Sequence, residues 1–184
     1  MEAVAIFPEI KEALSTDESH PLHDFAVVYS QQVEWGDMDT FGHVNNVVYY
    51  EYAQNARIYY NRKLNLFNEQ TSSVMAASSC QYLKSVTYPD QLWIGVKVKK
   101  IGNSSLIHEY TYYSTVQKQI VAIGESVLVY LDKLSGQKKP ISESQKSAIA
   151  ALECYQPRLI TLKHSVYQFL DYQRGGLYMK KTTE

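Results

Sequence analysis

The sequence has few cysteines, no excess of charge of either sign and no long apolar run. Two cysteines in 184 residues, Cys80 and Cys154, are too few for a disulfide framework or a four-thiolate metal site, and they favour a reducing compartment. Eighteen Lys and Arg against nineteen Asp and Glu give no positive excess of the kind that nucleic-acid binding requires. No apolar run approaches the roughly 20 residues that span a bilayer. We therefore predict a cytoplasmic protein without an export signal, membrane association, nucleic-acid partner or metal site.

The chain does contain enough apolar sequence for one folded domain. Apolar residues make up 45% of it and aromatic residues 12%, which excludes wholesale disorder. Residues 1–24 follow no clear period and are predicted to form an irregular amino-terminal arm. A weak helix over about Ser144–Glu153 and an aromatic tail, Tyr155–Tyr178, follow Pro140. We find no internal repeat and no linker to a second domain.

One strand, one long helix and then further strands are predicted along the chain. Phe25–Val33 is rich in Val and Tyr and reads as a strand. Apolar residues then recur at steps of three and four to about Leu66, so a helix should begin at Asn45 or Asn46, with Asn as its N-cap. The later strands are expected to form an antiparallel meander in an α+β fold. Their predicted ranges are about Val74–Tyr88, a strand that includes Ile94, Val96 and Val98, Leu106–Val116 and Ile120–Leu131.

Polar residues are concentrated in the segment between the first strand and the helix, and no pattern of apolar burial accounts for them. It contains Asp37 and Asp39 and ends at the helix start. A helix start presents unpaired N–H groups and a partial positive charge, which polarise a carbonyl oxygen and stabilise an oxyanion. A carboxylate beside it can act as a nucleophile or activate water, which is acyl-transfer chemistry. From spacing alone, an equally good interpretation is that the Asp residues shape a turn and that Asn45 and Asn46 cap the helix.

Residues Gly36 to Asn46, GDMDTFGHVNN, followed by Tyr49, Ala56 and Arg57, resemble the signature of the 4-hydroxybenzoyl-CoA thioesterase family. These proteins are acyl-CoA thioesterases with the hot-dog fold. The resemblance continues in weaker form from Phe25 to Ser142. It gives predicted boundaries of 1–24 for the arm, 25–142 for the thioesterase domain and 143–184 for a helical extension.

The resemblance implies a hot-dog fold, in which a five-stranded antiparallel sheet wraps around one long central helix. It implies a second copy joined edge to edge, hence a homodimer or homotetramer, with each active site at the subunit interface. Asp39 is then the catalytic carboxylate, and the backbone N–H at or near Asn46 polarises the thioester carbonyl. The substrate is an acyl-CoA or acyl-carrier-protein thioester, the products are a free acid and a thiol, and no cofactor is required.

The sequence also departs from this family, and other functions are open. Gln54 and Asn55 replace two acidic residues of many members, which bears on substrate preference. His43 could bond Asp39 or the substrate, or could fix the loop. A hydratase or dehydratase on the same fold would use His43 with Asp39. A protein that binds acyl thioesters without catalysis is the other alternative.

Several further residues are interpreted as structural. The helix Tyr residues are expected in the core, although some could line an acyl tunnel. Glu51 is expected on a solvated face, and Cys80 as a small buried residue. Cations are candidates for the CoA phosphates, although spacing selects none of them. They are Arg62, Lys63, Lys84, Lys97, Lys99 and Lys100.

Overall fold

A five-stranded antiparallel sheet with one long helix against it forms the body of the protein. The computed structural model describes residues 10, 14, 16–66 and 69–153. The predicted α+β class, with five antiparallel strands and one long helix, is confirmed. The strands are β1 (Val27–Gln32), β2 (Thr71–Tyr82), β3 (Gln91–Ile101), β4 (Ser105–Ser114) and β5 (Gln119–Asp132), and the helices are α1 (Val48–Lys63) and α2 (Glu143–Glu153).

The order of the strands differs from a simple meander. The sheet runs β1-β3-β4-β5-β2, so β3, β4 and β5 form the predicted meander and β2 lies at the far edge. The register of β2 against β5 places Thr71 opposite Asp132 and Tyr82 opposite Ala122. The prediction that this strand continues to Tyr88 is wrong, because β2 ends at Tyr82 and the chain runs on in irregular backbone to β3. The residues that follow β2 are thereby free to line a cleft.

The helix packs one face on the sheet, as its three- and four-residue steps predict. Tyr49, Tyr52, Ala56 and Tyr60 are all buried and join the inner residues of the strands in one core cluster. Register shifts in β2, β3 and at the β4–β5 pairing are bulges of the kind that bend a sheet. Curvature lets the strands close around α1. The helix begins at Val48, two to three residues later than predicted.

The opposite face of the sheet is covered in part by the amino-terminal arm. Leu22 is fully buried, and the described arm residues Ile10 and Leu14 pack with it into a second apolar cluster that includes Phe25 and Tyr113. The arm is therefore an integral part of the packing and not an appendage. The predicted domain boundaries remain predictions, and the aromatic tail Tyr155–Tyr178 lies outside the described residues. In the part of the chain that the structure describes, no helix is long and apolar enough to cross a membrane.

Candidate active site

The loop that carries Asp39 is a tight reversal between β1 and α1. The Asp39 N–H donates to the His43 carbonyl at 2.8 Å, and the Gly42 N–H donates to the Asp39 carbonyl at 3.0 Å. Gly42 has a φ of 78°, a left-handed conformation that a residue with a Cβ adopts at a cost. Met38 and Val44 pair across the base of the reversal. These contacts fix the backbone on both sides of the Asp39 side chain.

Hydrogen bonds to α1 and to the segment after β2 hold this loop against the body of the protein. The Tyr52 hydroxyl of α1 donates to Asp37 Oδ2 at 2.5 Å, and the same carboxylate oxygen accepts the Glu34 N–H at 2.8 Å. The Val44 N–H donates to the carbonyl of Val86, which follows β2. Burial, and then the hydrogen bond to Asp37, raise the pKa of Tyr52 well above its usual range. Asp37 therefore has the structural role that the turn interpretation assigns to it.

The Asp39 carboxylate is held by one oxygen and has the other available. Its Oδ1 accepts the Phe41 N–H at 2.8 Å, which sets the orientation of the side chain. No described residue forms a hydrogen bond with Oδ2. The side chain is half-buried, so it combines a fixed geometry with access to the cleft.

The start of α1 carries a backbone N–H that faces away from the helix. The Asn45 carbonyl accepts the Val48 N–H at 3.0 Å. Because a trans peptide is planar, the Asn46 N–H of the same peptide group points in the opposite direction, and it has no acceptor among the described residues. The predicted Asn cap is wrong, since Val47 occupies the N-cap position. Asn45 Oδ1 instead accepts the Val47 N–H at 3.0 Å, in a turn just before the helix.

A cleft with a volume of about 290 Å³ brings the predicted site residues together. Asp39, His43 and Asn46 all line it. Sequence reasoning placed Tyr49 in the core and did not bring Tyr82 to the site. The lining residues are Asp39, His43, Val44, Asn46, Tyr49, Tyr82, Leu83, Lys84 and Ser85.

Comparison with known proteins shows the family. The sequence profile of the thioesterase-like superfamily matches residues 33–149 of the chain. This protein belongs to the thioesterase-like superfamily. It is 32% identical to the Bacillus subtilis (strain 168) protein YsmA over 127 residues, which are 68% of this chain and 86% of that protein.

Solved structures of similar proteins confirm the hot-dog thioesterase fold. A thioesterase from Thermus thermophilus, complexed with coenzyme A and zinc, is 32% identical with a TM-score of 0.64, over 73% of this chain and 98% of that chain. The PA5185 protein of Pseudomonas aeruginosa strain PAO1 is 28% identical with a TM-score of 0.64, over 71% of this chain and 94% of that chain. These similarities support thioester hydrolysis as the activity of this thioesterase-like protein.

The other candidate residues of the thioesterase-like chain differ in whether they line the cleft. Lys84 lines the cleft, whereas Lys97 and Lys99 form ion pairs with Glu109 on the face of the sheet away from α1. Glu51 is exposed on the helix, as predicted. Burial raises the pKa of the Cys80 thiol to about 11, which opposes a nucleophilic role.

Proposed function

We propose that this thioesterase-like protein hydrolyses acyl-CoA thioesters in the cleft between the Asp39 loop and the start of α1. One observation carries the proposal. Asp39, whose Oδ2 has no partner among the described residues, and Asn46, whose N–H points outward, line the same cleft. A negative group and an amide donor at one opening are the two parts that acyl transfer needs.

The two groups act on different atoms of the thioester. The Asn46 N–H, with the positive end of α1 behind it, polarises the carbonyl and binds the developing oxyanion. Asp39 takes a proton from a water molecule that attacks the carbonyl carbon, or attacks that carbon itself to form an anhydride that water opens. In both routes the carbon–sulfur bond breaks and the acyl group leaves as the free acid. The leaving sulfur takes a proton from protonated Asp39 in the first route and from water in the second, so CoA leaves as the thiol.

Two neighbouring residues complete the site. The backbone carbonyl of His43 accepts the Asp39 N–H, so the His43 backbone shapes the loop, and the residue also lines the cleft. Lys84 is exposed on the cleft wall, where a cation fits the phosphates of CoA. An acyl-carrier-protein thioester presents the same reacting group. A closer relationship to the 4-hydroxybenzoyl-CoA thioesterase family is part of this proposal.

We assign a second copy of the chain to the free edge of β2. This strand is 12 residues long, and its outer edge pairs with nothing in the described residues. Val74 is 49% exposed and Met75 is 44% exposed along it. A long unpaired strand edge that carries exposed apolar side chains invites strand pairing. Because β2 ends at Tyr82, next to the cleft, a partner there would add a wall to the site and complete it as a homodimer.

Substitution of Asp39 tests the mechanism directly. We expect Asp39→Asn and Asp39→Ala to lower kcat by roughly 100-fold or more, because the carboxylate is lost from the reacting carbon. Release of thiol is followed for a panel of acyl-CoAs and for an acyl-carrier-protein thioester. Glu51→Gln removes the same charge from an exposed position on α1 and should leave turnover unchanged.

Two results would contradict this function. Wild-type turnover in Asp39→Asn would remove Asp39 from the mechanism. Thermal stabilisation of the wild-type protein by CoA, without hydrolysis of any substrate in the panel, would make it a binding protein. Thermal melts of every variant exclude unfolding as the cause of a lost activity.

A further inference from the structure

Arg57 on α1 is a buried cation without an acidic partner among the described residues. The residue is 8% exposed, and its one hydrogen bond in the described structure runs from Nη1 to the Tyr110 hydroxyl at 3.2 Å. None of the ion pairs among the described residues includes it. A buried charge without a counter-charge is strongly destabilising, and proteins almost always pair it. The surroundings of Arg57 therefore require explanation.

The helix and the sheet supply no carboxylate to this guanidinium. Positions three and four residues before it hold Gln54 and Ala53, and those after it hold Tyr60 and Asn61, all of them uncharged. The Glu153 carboxylate of α2 is engaged elsewhere, since it accepts the Tyr60 hydroxyl at 2.5 Å and the Val98 N–H at 2.8 Å.

Two further buried polar groups near Arg57 have no hydrogen-bond partner in the part of the chain that the structure describes. Asn61 lies one turn along the same helix face and is fully buried, and neither atom of its amide forms a hydrogen bond within the described structure. His108 of β4 is fully buried as well, and both of its ring nitrogens are likewise without a partner there. Its strand position is two residues from Tyr110, on the same face.

The hydrogen bond to Tyr110 brings the Arg57 guanidinium to the part of β4 that carries His108. Burial, and then the positive charge of Arg57, lower the pKa of His108 to about 3. The ring is therefore neutral at pH 7 and carries one N–H donor. The Tyr110 hydroxyl and Ser126 Oγ, 2.5 Å apart, complete the polar surroundings.

Hydrogen-bond donors predominate in this cluster. Arg57 has five N–H donors and uses one of them, Asn61 adds two and the neutral His108 adds one. These donors need an acceptor, and no carboxylate of the described residues compensates the positive charge of Arg57. We propose that Arg57, Asn61 and His108 form a binding site for one small anion, such as a carboxylate or a halide.

Anion-dependent stability tests the site in the whole protein. In dilute buffer we titrate the wild-type chain with sodium acetate and with sodium bromide, and measure Tm. We expect a saturable rise of roughly 5 °C or more, because an ion that binds only the folded state stabilises it. Arg57→Gln should lose the saturable rise. Arg62→Gln, which removes the same charge from an exposed position on α1, should keep it.

An equal response of the wild-type protein and Arg57→Gln to acetate would overturn the proposal. If Arg57→Gln does not fold, wild-type crystals grown in bromide decide the question. Anomalous density beside the Arg57 guanidinium supports an anion site. Water molecules alone, or a carboxylate from a second copy of the chain, would overturn the small-anion assignment. Neither readout depends on thioesterase activity, so failure of this proposal leaves the proposed function untouched.

Discussion

The Tyr82 hydroxyl donates a 2.9 Å hydrogen bond to the carbonyl oxygen of Asn46. The donor is the last residue of the edge strand β2, and the acceptor lies just before α1, so this bond joins the sheet to the helix start. The Tyr82 ring also packs edge-on against Tyr49, with the ring centroids 5.1 Å apart. The backbone that presents the Asn46 N–H is therefore held from the sheet as well as from the helix.

We expect Tyr82→Phe to lower kcat by about 10-fold while KM for acyl-CoA changes little. The ring packing stays, but the helix start loses one of the bonds that hold it, so the oxyanion donor is placed less well. Steady-state kinetics with a thermal melt separate this effect from unfolding. Tyr88→Phe removes a hydroxyl from another exposed tyrosine and serves as the control. An unaltered kcat in Tyr82→Phe would show that the bond does not position the amide.

Tyr52→Phe should lower the free energy of unfolding by roughly 2 kcal/mol, because it removes a hydrogen bond to a charged and partly buried carboxylate. Urea unfolding measures the change. Asp37→Asn keeps an acceptor for the Tyr52 hydroxyl and should cost less than Tyr52→Phe. If the two variants unfold at the same urea concentration as the wild-type protein, the Asp37–Tyr52 bond does not anchor the loop.

Acid should destabilise the protein through His108. Its pKa is about 3 in the folded protein and near 6.5 when unfolded, so between these values the unfolded state binds more protons. This contribution to stability is complete above pH 6.5. Below that pH it falls by up to about 1.4 kcal/mol per pH unit. Burial raises the pKa of Glu153, which opposes the trend above pH 4.5.

The variant His108→Gln separates the contribution of His108 to the acid sensitivity from that of Glu153. Its free energy of unfolding, measured in urea at pH 7 and pH 5, should fall less between these pH values than that of the wild-type protein. His23→Gln changes an exposed histidine and should behave as the wild-type protein does. A wild-type pH dependence in His108→Gln would assign the acid sensitivity to other groups.

Val74→Lys should prevent dimer formation, because it puts a charge on the exposed apolar edge of β2. Light scattering at micromolar concentration is expected to give a monomer, with loss of thioesterase activity if the second copy completes the site. Val116→Lys makes the same change at a position that is 66% exposed between β4 and β5, and should leave the assembly intact. A monomeric wild-type protein would contradict the edge-to-edge pairing.

The periodicity of the sequence predicted the individual helix and strands, but it did not predict which distant strands pair. The steps of three and four from Tyr49 to Tyr60 follow from burial of one helix face, and the alternation in β3 from burial of one strand face. The edge position of β2 was missed because it depends on pairing with β5, which comes after two other strands in the chain. Periodicity within a strand carries no information about its partner.

The same distinction explains which site residues were found. Asp39, His43 and Asn46 lie within eight consecutive residues, so a contiguous motif reveals them. Tyr82 and Lys84 reach the cleft only through the sheet order, and no spacing in the sequence brings them there. The cap was misplaced because the Asn45 side chain accepts the Val47 N–H in a turn just before the helix, which leaves Val47 and neither Asn at the N-cap position.

The position of β2 beyond β5 also sets the order in which the cleft can be assembled. During synthesis the Asp39 loop, α1 and β2 emerge early, yet β2 has no strand to pair with until β5 has left the ribosome. A nascent chain that ends before Gln119 thus contains the described residues that line the cleft, but has no template to hold Tyr82 against the helix. The cleft is therefore completed late in synthesis, because its assembly depends on β5, a strand that is absent from the cleft lining.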